Sequence, residues 1–244
     1  MTFNASEAHV DFDLDLIIRA IAKAISEDVP NQLHEHHLET NNYIGLMRGD
    51  FINENLRNFA LVDGYDLSPI QRYGWRGRLL VNHEKHITLS IVTQSNLHMI
   101  PRKKRARPHY TMSILKMQNG DLQGRYVQQT LFSVEPFDNA VLEEDYESMM
   151  CGAVDPAEGY HHYFIAYRAE ASELVDVKLV LMDPMFNVVQ EESLNHLIVP
   201  DFARLTATDD SETATATATE ETHRKATRQL SKLKLGLTLM CIAN

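Results

Sequence analysis

The sequence predicts an α+β protein in which N-terminal helices pack on a largely antiparallel sheet of about seven strands. Two observations favour this fold class: apolar residues recur with a helical period near the N-terminus, and short β-rich runs separated by turn residues follow from residue 78 onward. The chain has 244 residues, of which 44% are hydrophobic and 23% charged, so it can bury a core. We therefore expect a single α+β domain over residues 1–200.

The first element is an amphipathic helix between residues 11 and 27. Its apolar residues recur at intervals of three and four positions, which places them on one face: Leu14, Ile17, Ile18, Ile21 and Ile25. Pro30 should end this helix, because proline lacks the amide donor and disfavours helical backbone in the preceding residue. A second, shorter helix is predicted to begin after Asp50, a suitable N-cap residue.

The middle of the chain changes to a strand pattern. Residues 78–81 and 87–93 are β-rich runs joined by a polar stretch, which predicts a hairpin. Five more strand candidates follow, at residues 110–117, 124–134, 162–168, 174–182 and 188–191. Seven strand candidates after two helices indicate a largely antiparallel sheet with the helices against it.

After residue 200 the composition changes. Residues 201–219 are rich in Thr and Ala and predict a low-complexity linker with nothing to bury. Residues 220–244 form either a C-terminal amphipathic helix or a tail, with Ala226, Leu230, Leu233 and Leu237 on one side. We expect that apolar stripe to dock on the domain or to mediate self-association.

Charge is segregated along the chain. The formal net charge is −11, yet residues 72–107, called the basic window below, hold nine Lys or Arg residues and a single acid, Glu84. Subtracting that +8 from −11 leaves −19 for the remainder. Residues 126–167, the acidic segment, hold eight Asp or Glu residues and no Lys or Arg. Such segregation points to a polyanionic partner or to an internal contact between the two regions.

The strongest cluster in the window is the basic loop, residues 102–107, which is bounded by Pro101 and Pro108. It contributes five cations that we expect to contact the phosphates of a nucleic acid or another polyanion: Arg102, Lys103, Lys104, Arg105 and Arg107. Tyr73, Trp75 and Tyr110 lie close by in the sequence, and aromatic residues interleaved with arginine commonly stack unpaired bases. Arg76 and Trp75 are therefore predicted to assist.

Other interpretations of the basic window stay open. The loop could be a solvated surface whose charges balance acids elsewhere, with Trp75 as a core residue at the entry of a strand. Alternatively, the acidic segment could fold over the basic loop and neutralise it, which would make the pair an internal or regulatory contact. A third class of function is a protein-interaction module that uses the acidic segment or the C-terminal helix.

The candidate for catalysis is the pair Asp176 and Lys178, which resembles the acid-x-Lys element of PD-(D/E)xK nucleases. Residues two apart on a strand share one face, where a carboxylate can bind Mg²⁺ and an ammonium can stabilise a hydroxide or phosphate. Acids upstream could complete such a site: Asp138, Glu147 and Asp155. No cofactor or metal is expected apart from Mg²⁺ in this alternative, since phosphate-binding glycine loops, nucleophile elbows and CxxC pairs are absent from the sequence.

The sequence also predicts a cytoplasmic protein without a membrane span. The N-terminal residues include acids where a signal peptide has basic residues, and no apolar run approaches about eighteen residues. Enzymatic activity is left open by these patterns, so binding without catalysis is the default expectation.

Several short strings resemble a known family. They are Thr40-Asn41-Asn42, then Gly45-Leu46-Met47-Arg48-Gly49-Asp50-x-Ile52-Asn53, later Trp75-x-Gly77, and finally Pro108-His109-Tyr110. Together they are similar to the landmarks of an uncharacterised bacterial family built on a domain of unknown function. The resemblance covers residues 10–200 and implies a bacterial or phage origin and a single domain. It implies no activity.

Overall fold

A computed structural model of the protein describes residues 14–36, 40, 42–59, 64–122 and 137–199. The strand predicted at residues 124–134, the Thr/Ala-rich linker and the C-terminal helix lie outside the described residues. All the elements given below belong to one unit that ends at Ile198. The division into domain, linker and tail stays a prediction.

The N-terminal helix is longer than the sequence predicts. Helix α1 spans Asp15–Lys23, a π-helical segment spans Ala24–Asp28, and α2 spans Val29–Glu35. All five apolar residues of the predicted face are buried, which confirms the orientation of the helix. The prediction that Pro30 ends it is wrong. Pro30 lies in the first turn of α2, where its missing amide donor costs little because the π-segment has changed the hydrogen-bonding register.

The second helix begins earlier than predicted. Helix α3 spans Ile44–Phe59, so Asp50 lies inside the helix, exposed, rather than at its N-cap. Gly45 and Gly49 obscured this start in the sequence, because glycine weakens a helix interior. Ile52 and Leu56 of this helix are buried.

Six strands form the sheet, in the same order as in the sequence. They are β1 (Asp66–Arg72), β2 (Trp75–Asn82), β3 (Ile87–Thr93), β4 (His161–Glu170), β5 (Glu173–Met182) and β6 (Val188–Ser193). Every neighbouring pair is antiparallel except β3 and β4, which are parallel. The predicted hairpin of β2 and β3 is confirmed, with Leu80 opposite Leu89. The sheet is therefore mostly antiparallel, with six described strands rather than seven.

Three differences separate the predicted strands from the described ones. The strand predicted at residues 124–134 lies outside the described residues. Strand β1 was not predicted because Pro69 interrupts its sequence, but β1 is an edge strand, where proline is tolerated since one side of the backbone has no ladder partner. Residues 110–117 were predicted as a strand and instead belong to a helix, α5 (Tyr110–Gln118). His109 caps this helix by accepting from the amide of Thr111, and Ile114 and Leu115 are buried by it, so packing overrides the β-propensity of its sequence.

In the described part of the chain, three α-helices lie in the crossover between the parallel strands β3 and β4. They are α4 (Gln94–Met99), α5 (Tyr110–Gln118) and α6 (Asn139–Met150). Neither α4 nor α6 was predicted. Among the described helices, none combines the length and apolar character needed to cross a membrane.

The sheet has helices on both faces. On β4, Ile165 and Tyr167 pack with α1 and α3, whereas Phe164 and Ala166 pack with α4 and α5 on the opposite face. This alternation is the period of two expected of a strand whose two faces are both buried. A third cluster joins β1 and β2 to α5 and α6. The two helical layers leave one end of the sheet accessible, where β1, β3 and β4 finish and β2 begins.

Candidate nucleic-acid interface

A cleft of about 860 Å³ lies at this end of the sheet. It is bounded by the first half of α3, the tip of the β1–β2 hairpin, the end of β3, α4 and the approach to α5. We call it the basic cleft. In sheets that contain parallel strands, ligand sites commonly form beyond the carboxyl ends of those strands, and Thr93 at the end of β3 and Tyr167 on β4 both line this one.

The cations outnumber the acids on the cleft wall. Its described lining residues include five cations (Arg72, Arg76, Arg78, Lys103 and Arg105) and a single acid, Asp50. Side chains alternate along β2, so Arg76 and Arg78 leave the strand on the face opposite Trp75 and face the α3 side of the cleft. Both arginines are exposed, and neither forms an ion pair with any described residue.

Trp75, the first residue of β2, is held in place while much of it stays in contact with solvent. Its indole stacks on the ring of Tyr110, with centroids 5.2 Å apart and planes 23° apart, and it is 45% exposed. The indole also lies across Gly77, where an added Cβ would overlap the ring. The interpretation of Trp75 as a core residue is therefore incorrect, since a core residue would be buried.

The hairpin tip adds a second exposed aromatic ring. Tyr73 and Gly74 both have positive φ angles, 47° and 86°, as a two-residue hairpin loop of this type requires. Tyr73 is 67% exposed. The guanidinium carbon of Arg107 lies 4.2 Å from the centre of the Tyr73 ring, so a cation–π contact ties the basic loop to the hairpin.

The basic loop is solvent-exposed along its whole length. All five of its cations are exposed, and none of them forms an ion pair with a carboxylate in the described part of the chain. Lys103 and Arg105 line the cleft, Arg107 covers Tyr73, and Arg102 and Lys104 extend from the same loop without lining the cleft. The part of the acidic segment that the structure describes, residues 137–167, does not neutralise these five charges.

One ion pair does join the basic window to the acidic segment. The Nε of Arg72 lies 2.6 Å from Oδ1 of Asp145 on α6, and the two side chains are only 15% and 7% exposed. The hydroxyl of Ser113 on α5 donates to the other carboxylate oxygen at 2.5 Å. Breaking such a buried pair from one side typically costs about 3–5 kcal/mol. Arg72 is therefore a structural cation that fixes the hairpin to α5 and α6, unlike the exposed cations of the basic loop.

His109 lies where the basic loop meets α5, and its titration reflects the charges around it. Burial, followed by the cations Arg105, Arg72 and Lys103, lowers the pKa of His109 to about 4. Its Nδ1 accepts from the Thr111 amide at 3.4 Å, which leaves the proton of the neutral ring on Nε2. At neutral pH His109 is therefore an uncharged hydrogen-bond donor in a positive potential.

Asp176 and Lys178 lie on β5 and project from the same face, as predicted, on either side of the buried Val177. Each has a partner within the protein. Gln94 of α4 donates to Asp176 at 2.8 Å and lowers its pKa, and Lys178 donates to Glu191 of β6 at 2.7 Å, which raises its pKa. Two of the three candidate second acids serve other purposes, since Asp138 caps α6 and Asp155 caps a short 3₁₀ turn, and the third, Glu147, is exposed on α6. Among the described residues, no group of three His, Cys, Asp or Glu side chains could hold a metal ion.

Sequence reasoning named the cations and the nearby aromatic residues Tyr73, Trp75 and Tyr110, but it did not place His109 or α3 at the site. The hairpin tip that carries Tyr73 and the helix start that carries Tyr110 were not predicted, and residues 45–53 of α3 reach the cleft from the other side of the sheet. A signal for them was present. The strings around residues 45–53, 75–77 and 108–110, which carry the family resemblance, all meet at this cleft.

Comparison with known proteins identifies a family but no function. The model of a family of unknown function (DUF5986) matches residues 5–235 of the 244-residue chain. No curated protein and no solved structure matches the chain.

Proposed function

The chain belongs to the DUF5986 family, whose function is unknown, and we propose that it binds nucleic acid through the basic cleft and the basic loop. One observation carries the proposal: the five cations of the basic loop are exposed and have no carboxylate partner among the described residues. Two of these five, Lys103 and Arg105, line the basic cleft, whose wall adds the exposed Arg76 and Arg78 and has a single described acid. Charges held this close repel one another, and the phosphates of a polyanion would turn that repulsion into attraction.

The roles of the residues follow from their positions. Arg102, Lys103, Lys104, Arg105 and Arg107 would contact phosphates, and Arg76 would do so from the α3 side of the cleft. Trp75 would contact the nucleic acid at the hairpin tip. Because phosphate contacts carry no sequence information, we expect affinity with little sequence preference.

We propose binding without catalysis rather than the Mg²⁺-dependent nuclease alternative. In that alternative Asp176 would bind the metal ion and Lys178 would stabilise charge on the attacking group. Both groups are already engaged by protein partners, Gln94 and Glu191, whereas the loop cations are not. The basic loop is therefore better supported as the site of contact.

Replacing all five loop cations with Gln tests the proposal. We expect the variant to lose affinity for a fluorescein-labelled oligonucleotide in an anisotropy titration at low salt, because the phosphate contacts are gone. The thermal unfolding midpoint should stay nearly unchanged, since removing the Arg107–Tyr73 contact costs only about 0.5–1 kcal/mol.

A matched pair of double variants controls for net charge. Lys103→Gln with Arg105→Gln removes two cations from the cleft, and Arg19→Gln with Arg57→Gln removes two from exposed helical ion pairs elsewhere. Only the first pair should weaken binding. Equal losses from both pairs would mean that overall charge, and not this cleft, determines affinity. A large loss of stability in the five-Gln variant would instead favour neutralisation of the loop by the protein's own carboxylates.

A further inference from the structure

We infer that the basic cleft takes single-stranded nucleic acid, and that the Trp75–Tyr110 stack is the platform on which an unpaired base lies. The inference rests on the proposed function and deepens it, because it specifies the form of nucleic acid and the group that Trp75 recognises. It begins from the exposure of Trp75, which is 45% accessible although its position is fixed by packing.

The indole is supported from within the protein. Tyr110 stacks against it at 5.2 Å, and His109 lies 4.6 Å from Tyr110 on the same approach to α5, so the three rings form a row. Gly77 has no side chain at the place where the far edge of the indole lies, so the ring can occupy this position. A platform held in advance loses little conformational freedom when a base stacks on it.

Charge and ring surface occur together at this place. Lys103 and Arg105 line the same cleft as Trp75, and Arg107 lies over the neighbouring ring of Tyr73. Base stacking on aromatic side chains beside a cationic track is the common mode of single-strand binding, and each stacked base contributes substantially whatever its identity. The bases of a duplex are stacked on each other and offer no free face to an indole. The aromatic row therefore favours unpaired strands over duplex.

The chain offers its own reporter for this contact. Trp75 is the single tryptophan of the sequence, so the intrinsic tryptophan emission arises from this residue alone. The full chain should be titrated with a single strand of about 12 nucleotides, a length within the range of single-strand sites. The same strand annealed to its complement and an abasic strand of equal length complete the set of probes.

We expect the base-bearing single strand to quench the emission and to bind more tightly than the other two probes, which should bind through phosphates without quenching. In anisotropy titrations, Trp75→Ala should lower the affinity for the base-bearing strand by roughly 5- to 150-fold and leave the affinity for the abasic strand unchanged. Trp75→Phe retains a ring, so its affinity for the base-bearing strand should lie between those of the wild type and Trp75→Ala. This second variant keeps the test informative if the alanine variant misfolds.

The outcomes separate this inference from the proposed function. If base-bearing and abasic strands bind with equal affinity and neither quenches the emission, the stacking role of Trp75 is overturned while nucleic-acid binding stands. If duplex quenches as strongly as single strand, the preference for unpaired bases is wrong. If none of the three probes binds at low salt, the proposed function fails as well.

Discussion

At the residue scale, His109 shows how the cations of the cleft act on one side chain. Its ring is partly buried and lies near Lys103, Arg105 and Arg72, and both burial and these charges disfavour the imidazolium form. His162 provides a contrast within the same protein. Burial in the protein interior, with no nearby cation, lowers the pKa of His162 to about 3.

This contrast predicts the effect of removing cations. In the Lys103→Gln, Arg105→Gln variant, the pKa of His109 should rise from about 4 but stay below 6.5, since burial and Arg72 remain. The measurement is an NMR titration of isotopically labelled histidine ring resonances. His162 serves as the internal control and should show no shift between the two proteins. A wild-type His109 that titrates at its ordinary value would refute the positive potential we assign to the cleft.

The individual cations and Trp75 could be predicted at this scale, because a cluster of charge or a single tryptophan is visible in the sequence. The Arg72–Asp145 pair could not. Its members are 73 positions apart, and their contact depends on α6 packing against β1. The secondary structure at Tyr110 was predicted wrongly for a similar reason, since its position at the start of a helix is set by the His109 cap and not by its own preference for strands.

At the element scale, the β1–β2 hairpin is the structure that brings rings and charges together. Its two-residue turn places Tyr73 at the tip and Trp75 directly after it, and β2 carries Arg76 and Arg78 toward the other side of the cleft. Gly77 determines where the indole rests, because any side chain there would occupy the same space.

Gly77→Ala should therefore displace Trp75 without unfolding the sheet. The new Cβ meets the far edge of the indole, which can swing away, and alanine is the better strand residue, so we expect the free energy of unfolding to change by less than about 1 kcal/mol. The emission maximum should shift to the red, and affinity for single strands should fall toward that of Trp75→Ala.

Gly120→Ala is the matched control, because a Cβ there meets nothing within 4 Å. It should leave both emission and affinity as in the wild type. Should Gly77→Ala behave like Gly120→Ala in both measurements, the position of the indole would be irrelevant to binding.

Elements with a clear period were predictable, and those shaped by context were not. The N-terminal helix and the strands β2 to β6 follow from alternation or helical spacing. Strand β1 tolerates Pro69 because it is an edge strand, and α3 begins before Asp50 despite two glycines, because Ile52 and Leu56 pack on the sheet. In both cases a tertiary contact outweighs a local signal.

At the scale of the whole molecule, the separation of charge limits where a polyanion can bind. The chain carries −11 overall, so most of its surface should repel phosphates, and a cluster of unpaired cations becomes the place of attraction. Among the described residues one ion pair joins the basic window to the acidic segment, Arg72 to Asp145, and it stabilises the fold without covering the basic loop. The net negative charge of the chain therefore opposes association with a polyanion, whereas the local cluster of cations favours it.

The salt dependence of affinity tests this central claim most directly. If about four to six phosphates are engaged, a plot of log affinity against log salt concentration should have a slope of roughly −2.8 to −4.2 for a single strand and roughly −3.6 to −5.4 for duplex DNA. If the five-Gln variant still binds measurably, its affinity should depend much less steeply on salt concentration. A wild-type slope near zero, or no binding even at low salt, would contradict the assignment of the basic loop as a phosphate-binding site.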